Sequence, residues 1–215
     1  MTAKTDNHDL RAKLELRRYF LRKFHADDPP DVLDCCQGGG LLWKQLRKEF
    51  MTRSYWGVDL KPKRGRVKLD SVRILQQPGW PQNVVDIDTY GSPWKHWAAM
   101  LPNAKGPITV FLTVGQRITG TVGKVSKGAI EALGLKGMYA NLPAGFHPKL
   151  AGHVLRYCLA MGCDYGIMLI EVLEAETDNR NVRYIGVRLG PANDNARLEP
   201  GASEPEQVGK EPAHV

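Results

Sequence analysis

Two carboxylates, an aromatic ring and a glycine follow one another at the end of an apolar run in "NVVDIDTYGSPW", residues 83–94. Asp86 and Asp88 would stand at or near the end of a strand, with Tyr90, Gly91 and Pro93 immediately behind. Burying carboxylates is costly unless they are paired or hydrogen-bonded, and bulky aromatics are uncommon in turns. A carboxylate here can orient a polar group and accept hydrogen-bond or proton charge from it, while a tyrosine ring can stack on a flat substrate. The residue types therefore predict a site rather than an ordinary turn.

A second group lies upstream. "VLDCCQGGG" ends an apolar run with Asp34 and continues into Gly38, Gly39 and Gly40, whose small size lets the backbone approach a ligand closely. Asp59 closes the next apolar run, "YWGVDL", and Asp70 closes "RVKLD". The acid precedes the glycines, whereas a dinucleotide-binding loop places glycine directly after its strand and its acid on the second strand. Neither G-x-G-x-x-G nor G-x-x-x-x-G-K-[ST] can be read in the chain.

These groups need a scaffold that brings several strand ends together. Residues 9–25 place Leu10, Leu14, Leu21 and Phe24 on one helical face, with Phe20 at its edge and Arg17 interrupting the stripe. Arg11, Arg18 and Arg22 form a basic flank, and Pro29 and Pro30 stop the helix. From Asp31 onward, short apolar runs alternate with helical segments, and "YGIMLIEVLEA" and "VRYIGVRL" form a closing hairpin. This alternation predicts an α/β class: a Rossmann-like, doubly wound, mostly parallel sheet of seven strands with a C-terminal antiparallel hairpin. The organisation expected is an N-terminal amphipathic helix docked on the domain (1–30), one main domain (31–190) and a disordered acidic tail (191–215) rich in Pro, Gly, Ala and Glu.

Composition excludes several classes. No run approaches the roughly 18 to 20 apolar residues of a membrane helix, and the amino terminus lacks a secretory pattern, so a cytoplasmic protein is the default. Cys35, Cys36, Cys158 and Cys163 show no metal-site spacing and are expected as reduced, partly buried thiols, with no metal bound. The tail from Pro191 carries Arg197 and Lys210 against Asp194, Glu199, Glu204, Glu206 and Glu211, so the remainder is more basic than the overall +7. Basic residues gather at Lys61, Lys63, Arg64 and Arg66, and more sparsely at Arg117, Lys124 and Lys127 in a glycine-rich stretch beyond the fifth strand. These seven are the candidate nucleic-acid contacts. Trp94 and Trp97 are expected in the core, and His96 as a surface or hydrogen-bonded histidine.

The order D-x-x-x-G-x-G from Asp34 to Gly40 resembles the first motif of class I methyltransferases that use S-adenosylmethionine. That resemblance implies a cofactor set of Asp34, Gly38, Gly40, Asp59, Asp70 and Asp86, with Asp59 accepting from the ribose hydroxyls and Asp70 near the adenine amine. The run "DIDTYGSPW" resembles the D-P-F/Y-G-S-P motif of the tRNA guanine dimethyltransferase family, with Thr89 where that family has proline. It implies Asp88 and Tyr90 as catalytic residues acting on an exocyclic base amine of RNA or DNA. A methyltransferase-like nucleic-acid-binding module without turnover, and a small-molecule or protein methyltransferase, are the alternatives.

Overall fold

The computed structural model describes residues 9–61, 67–89, 92–115, 117–118, 121–122, 134, 155–175 and 182–192. Its chain order is α1 (Leu10–Phe24), β1 (Asp31–Asp34), α2 (Leu41–Glu49), β2 (Ser54–Asp59), β3 (Val67–Lys68), α3 (Ser71–Leu75), β4 (Val84–Ile87), α4 (Trp94–Met100), β5 (Ile108–Gly115), β6 (Arg117–Ile118), β7 (Thr121–Val122), β8 (Ile167–Ala175) and β9 (Val182–Pro191). Residues 155–160 are also helical.

Seven strands form one sheet in the order β3-β2-β1-β4-β5-β9-β8. The first five are mutually parallel, while β9 runs antiparallel between β5 and β8. The α/β expectation is met, including the closing hairpin. A separate two-stranded ribbon, β6 with β7, lies in the stretch beyond β5. The chain turns back between β1 and β4, so the carboxyl ends of these two strands make the switch point where ligands sit in open parallel sheets.

Alternating residues of the central strands feed two cores. Leu33, Val85, Ile87, Val110 and Leu112 face α3 and α4, where Trp94 and Trp97 are buried as expected. Val32, Val84 and Phe111 face α1 and α2, against Leu16, Phe20, Trp43 and Leu46. Because both faces are covered, β4 is buried along its whole length.

Helix α1 begins at Asp9, whose side chain accepts from the Ala12 N–H at 3.1 Å. Its inward face is rotated from the expected stripe. Leu10 and Phe24 are only partly buried, whereas Lys13, Arg17 and Phe20 are buried. The cause is electrostatic: two long cationic side chains on this face reach acids at the end of β4. Arg18, placed on a solvated flank, instead ties α1 to α2 by donating to both oxygens of Glu49 at 2.7 and 2.6 Å.

No helix among the described residues is long and apolar enough to cross a membrane. Cys35 and Cys158 are buried and Cys163 is exposed, all as free thiols. The acidic tail beyond residue 192 lies outside the described residues.

Candidate functional site

Parallel pairing sets Asp34 of β1 between Gly57 of β2 and Asp86 of β4. Beyond Asp34 the Cys35 N–H donates to the Asp86 carbonyl at 2.9 Å, and the Gln37 N–H to the Val58 carbonyl at 3.0 Å. The loop is thereby pinned to both neighbouring strand ends. It then turns through Gly38 and Gly40, with φ of 52° and 64°, a left-handed conformation that favours glycine. A Cβ at Gly38 would meet only the Cys36 carbonyl, at 3.9 Å, so the backbone angle rather than crowding requires glycine there.

Asp59 closes the loop from the other side. Its Oδ2 accepts from the Gly38 N–H at 3.0 Å and its Oδ1 from the Lys61 N–H at 2.8 Å. A carboxylate oxygen has two lone pairs, so this half-exposed group can receive a diol besides these two donors. Asp70 caps α3, its Oδ1 accepting from the Val72 N–H at 3.0 Å, while its Oδ2 faces the exposed Arg73, whose Nε lies 3.8 Å away. The chemistry of this set suits S-adenosylmethionine: a partly exposed carboxylate, Asp59, stands beside a glycine loop in which a Cβ at Gly38 would meet only a backbone carbonyl.

At the end of β4 the sheet holds three acids and two buried cations. Arg17 grips Asp86 bidentately, Nε to Oδ2 at 2.7 Å and Nη2 to Oδ1 at 2.6 Å, while its Nη1 donates to the Lys13 carbonyl at 3.0 Å. Trp43 Nε1 also donates to Asp86 Oδ2, at 2.7 Å. Asp86 is therefore a buried anchor that accepts three hydrogen bonds from Arg17 and Trp43.

Asp88 points into the same cluster but is partly open. Lys13 Nζ donates to both its oxygens, at 2.7 and 2.6 Å, and Thr113 Oγ1 donates to Oδ1 at 2.6 Å. Among the described residues three of about four lone-pair positions are filled, and the fourth is on Oδ2. Burial alone would raise the Asp88 pKa, but the charges of Lys13 and Arg17 and the two hydrogen-bond donors outweigh it and hold the carboxyl below its usual range.

Asp34 is the acid without a cation of its own. Burial first, then the charge of Asp86, push its pKa well above the usual value, against a hydrogen bond from Tyr55 OH at 2.8 Å. Tyr55 OH in turn accepts from Gln37 Nε2 at 3.0 Å, which links Asp34 to the glycine loop.

Of the expected site residues, Asp34, Gly38, Gly40 and Asp59 gather at the switch point with Asp86 and Asp88 beside them. Tyr90, Lys63, Arg64, Arg66, Lys124 and Lys127 lie outside the described residues, as does the side chain of Arg117 in β6. Lys61 is exposed just past β2. Sequence reasoning missed Lys13, Trp43, Tyr55 and Thr113, and read Arg17 only as a flaw in an apolar stripe. The signal was present: Lys13 and Arg17 lie four apart on the face that must dock, which requires buried acids elsewhere. His96 is hydrogen-bonded through Nε2 to Ser71 Oγ at 2.9 Å, while its buried Nδ1 has no partner among the described residues. No group of three His, Cys, Asp or Glu that could hold a metal occurs among the described residues.

No protein-family model and no curated protein matches this chain. Solved structures do. Trm1 from Pyrococcus horikoshii, in complex with S-adenosyl-L-methionine, aligns with 87% of this chain at a TM-score of 0.57 and 16% identity. The match covers 56% of that protein, so this chain spans little more than half its length. The plantazolicin methyltransferase BamL, in complex with a triazolic desmethylPZN analog and SAH, aligns over 87% of this chain and 88% of its own, at a TM-score of 0.53 and 11% identity. At these identities the likeness shows the fold: the chain has the α/β fold of class I S-adenosylmethionine-dependent methyltransferases.

Proposed function

We propose that the protein is an S-adenosylmethionine-dependent methyltransferase acting on an exocyclic base amine of RNA or DNA. The observation that carries this reading is the state of Asp88: its pKa held low, fixed by Lys13 and Thr113, and with one acceptor position unfilled by the described residues at the end of β4. Asp34, Gly38, Gly40, Asp59 and Asp70 hold the cofactor, which supplies an electrophilic methyl group on a sulfonium.

An exocyclic base amine is a weak nucleophile because its lone pair is delocalised into the ring. Asp88 Oδ2 accepts a hydrogen bond from the amine N–H and turns the nitrogen lone pair towards the methyl. As the nitrogen gives up electron density its N–H becomes more acidic, so this hydrogen bond strengthens in the transition state. An acid held below its usual pKa is a weak base, so Asp88 orients and stabilises, and the proton leaves to water afterwards. Tyr90 is assigned the stacking role, and Asp86 supports the turn through Arg17 rather than touching the cofactor.

A second reading has its own observation. Lys13 already occupies both oxygens of Asp88 as a target amine would, which favours a nucleic-acid-binding module of this fold without turnover. Calorimetric titration with S-adenosylmethionine, beside Asp59→Ala, tests the cofactor site. Methyl incorporation into RNA and DNA by the unmodified protein and by Asp88→Ala tests the chemistry. Cofactor binding lost in Asp59→Ala, with transfer lost in Asp88→Ala, supports the enzyme. Binding of nucleic acid with no transfer supports the module, and transfer only to small molecules or peptides overturns the nucleic-acid assignment.

A further inference from the structure

Adjoining the switch point at Gly40, α2 carries a second concentration of chemistry. Lys44, Arg47 and Lys48 stand three and four residues apart, hence on one side of the helix, and all are exposed. With Gln37, Gly40 and Tyr55 they line an open cavity of about 350 Å³. The acid on the same helix, Glu49, is held by Arg18 through both oxygens. Among the described residues no carboxylate pairs with Lys44, Arg47 or Lys48. The Arg47 guanidinium lies 4.9 Å from the centre of the Tyr55 ring, which holds its fork at the cavity wall.

Residues 60–66 alone separate β2 from β3, fewer than a helical crossover between parallel strands takes, and no described helix lies beside α2 over β2. The same short connection contains Lys61, Lys63, Arg64 and Arg66 in sequence.

We infer that this groove is a phosphate-backbone site, in which Lys44, Arg47 and Lys48 grip successive phosphodiesters of a nucleic-acid substrate whose target base enters at Asp88. The inference deepens the function proposed above and rests on it for the substrate class. Exposed cations hold a single small anion weakly, because water and salt screen each one. Along a polyanion, each neutralised phosphate releases counterions, so the contributions accumulate. A row of exposed cations that no described carboxylate pairs with therefore suits a polymer better than a free phosphate.

The test uses the full chain and three probes: a fluorescein-labelled RNA hairpin, a labelled DNA duplex of similar length and inorganic phosphate. Anisotropy is measured between 50 and 300 mM salt for the unmodified protein and for Lys44→Gln/Arg47→Gln/Lys48→Gln, whose fold is checked by circular dichroism. Because glutamine keeps helix propensity at exposed positions, the triple variant is expected to fold. Should it not, the three single glutamine variants carry the same comparison additively. The expected result is roughly ten- to hundred-fold weaker binding of at least one polymer, with the salt slope reduced by about 2 to 3. Unchanged affinity and slope on both polymers overturns the inference, as does an unmodified protein that binds neither. Inorganic phosphate that displaces RNA at submillimolar concentration also overturns it, by showing a single-anion site. S-adenosylmethionine titration of the same preparations separates the two readings. Loss of polymer binding with cofactor binding intact locates the defect in the groove, whereas absent cofactor binding in the unmodified protein counts against the methyltransferase alone.

Discussion

Lys13 on the first helix and Asp88 at the end of β4 form a two-pronged ion pair, with Nζ at 2.7 and 2.6 Å from the carboxylate oxygens. The Lys13 side chain is 5% exposed and that of Asp88 22%, so solvent screens the pair only partly. The helix thereby sets the protonation state of the residue assigned to the target amine. In Lys13→Met the burial that favours the neutral acid is no longer opposed by the nearest charge. The acid limb of kcat/KM for methyl transfer is then expected to move up by about one to two pH units, and Lys13→Arg to restore it. A pH–rate profile from 5 to 9 checks this; a Lys13→Met profile that superimposes on that of the unmodified protein refutes the role.

Arg17 and Asp86 form the deeper pair, with side chains 2% and 1% exposed. Removing one partner strands a buried charge, so Arg17→Met should cost on the order of 3 to 5 kcal/mol of stability. Arg17→Met/Asp86→Leu strands neither, leaving mainly the Trp43 N–H unpaired at a cost of about 1 kcal/mol. Urea unfolding of the two single variants and the double variant should show a strongly favourable coupling. A double variant as unstable as the sum of the singles would refute it.

These two pairs also mark the boundary of what the sequence discloses. Asp34, Asp59, Asp86 and Asp88 were legible because each ends an apolar run, and in a parallel sheet the strand ends converge. The glycine loop was legible because its order distinguishes it from dinucleotide and phosphate loops. The partners were not, since Arg17 and Asp86 lie 69 positions apart and Lys13 and Asp88 lie 75 apart. Amphipathic periodicity treats a cation within an apolar stripe as noise, yet burial makes it the most specific residue of the helix. Tyr55 was hidden differently: it enters from the start of β2 and reaches Asp34 only by lying across Gly57, where a Cβ would stand 2.7 Å from its hydroxyl.

The seat of α1 on the sheet depends on a glycine. Gly186 of β9 faces Phe20, and a Cβ there would come within 2.4 Å of the ring. Phe20 is wholly buried and meets Phe111 edge-on at 5.8 Å between ring centres, so it has little room to retreat. Gly186→Ala should therefore lower stability by about 1 to 3 kcal/mol through overpacking. Phe20→Leu added to Gly186→Ala should recover part of that loss, and thermal melts of both proteins check it. Equal melting of Gly186→Ala and the unmodified protein would show that α1 docks more loosely.

Two histidines make the fold sensitive to mild acid. Burial and the charge of Arg188 lower the His25 pKa to about 4, and burial lowers that of His96 to about 4 despite the attraction of Asp70. In the unfolded chain both return to about 6.5, so below that pH the unfolded state binds more protons than the folded one. Their contribution is complete above pH 6.5 and is lost as pH falls towards 4. Between pH 7.5 and 5 the expected loss is on the order of 1 to 2 kcal/mol for each histidine. His25 Nε2 lies 3.0 Å from Thr109 Oγ1, and His96 Nε2 2.9 Å from Ser71 Oγ, contacts that a glutamine can in part reproduce without a charge to gain. His25→Gln/His96→Gln should thus be less stable at pH 7.5 yet lose less on acidification. Urea midpoints at the two pH values measure this directly, and an acid-induced loss as large in the double variant as in the unmodified protein would place the sensitivity in other groups.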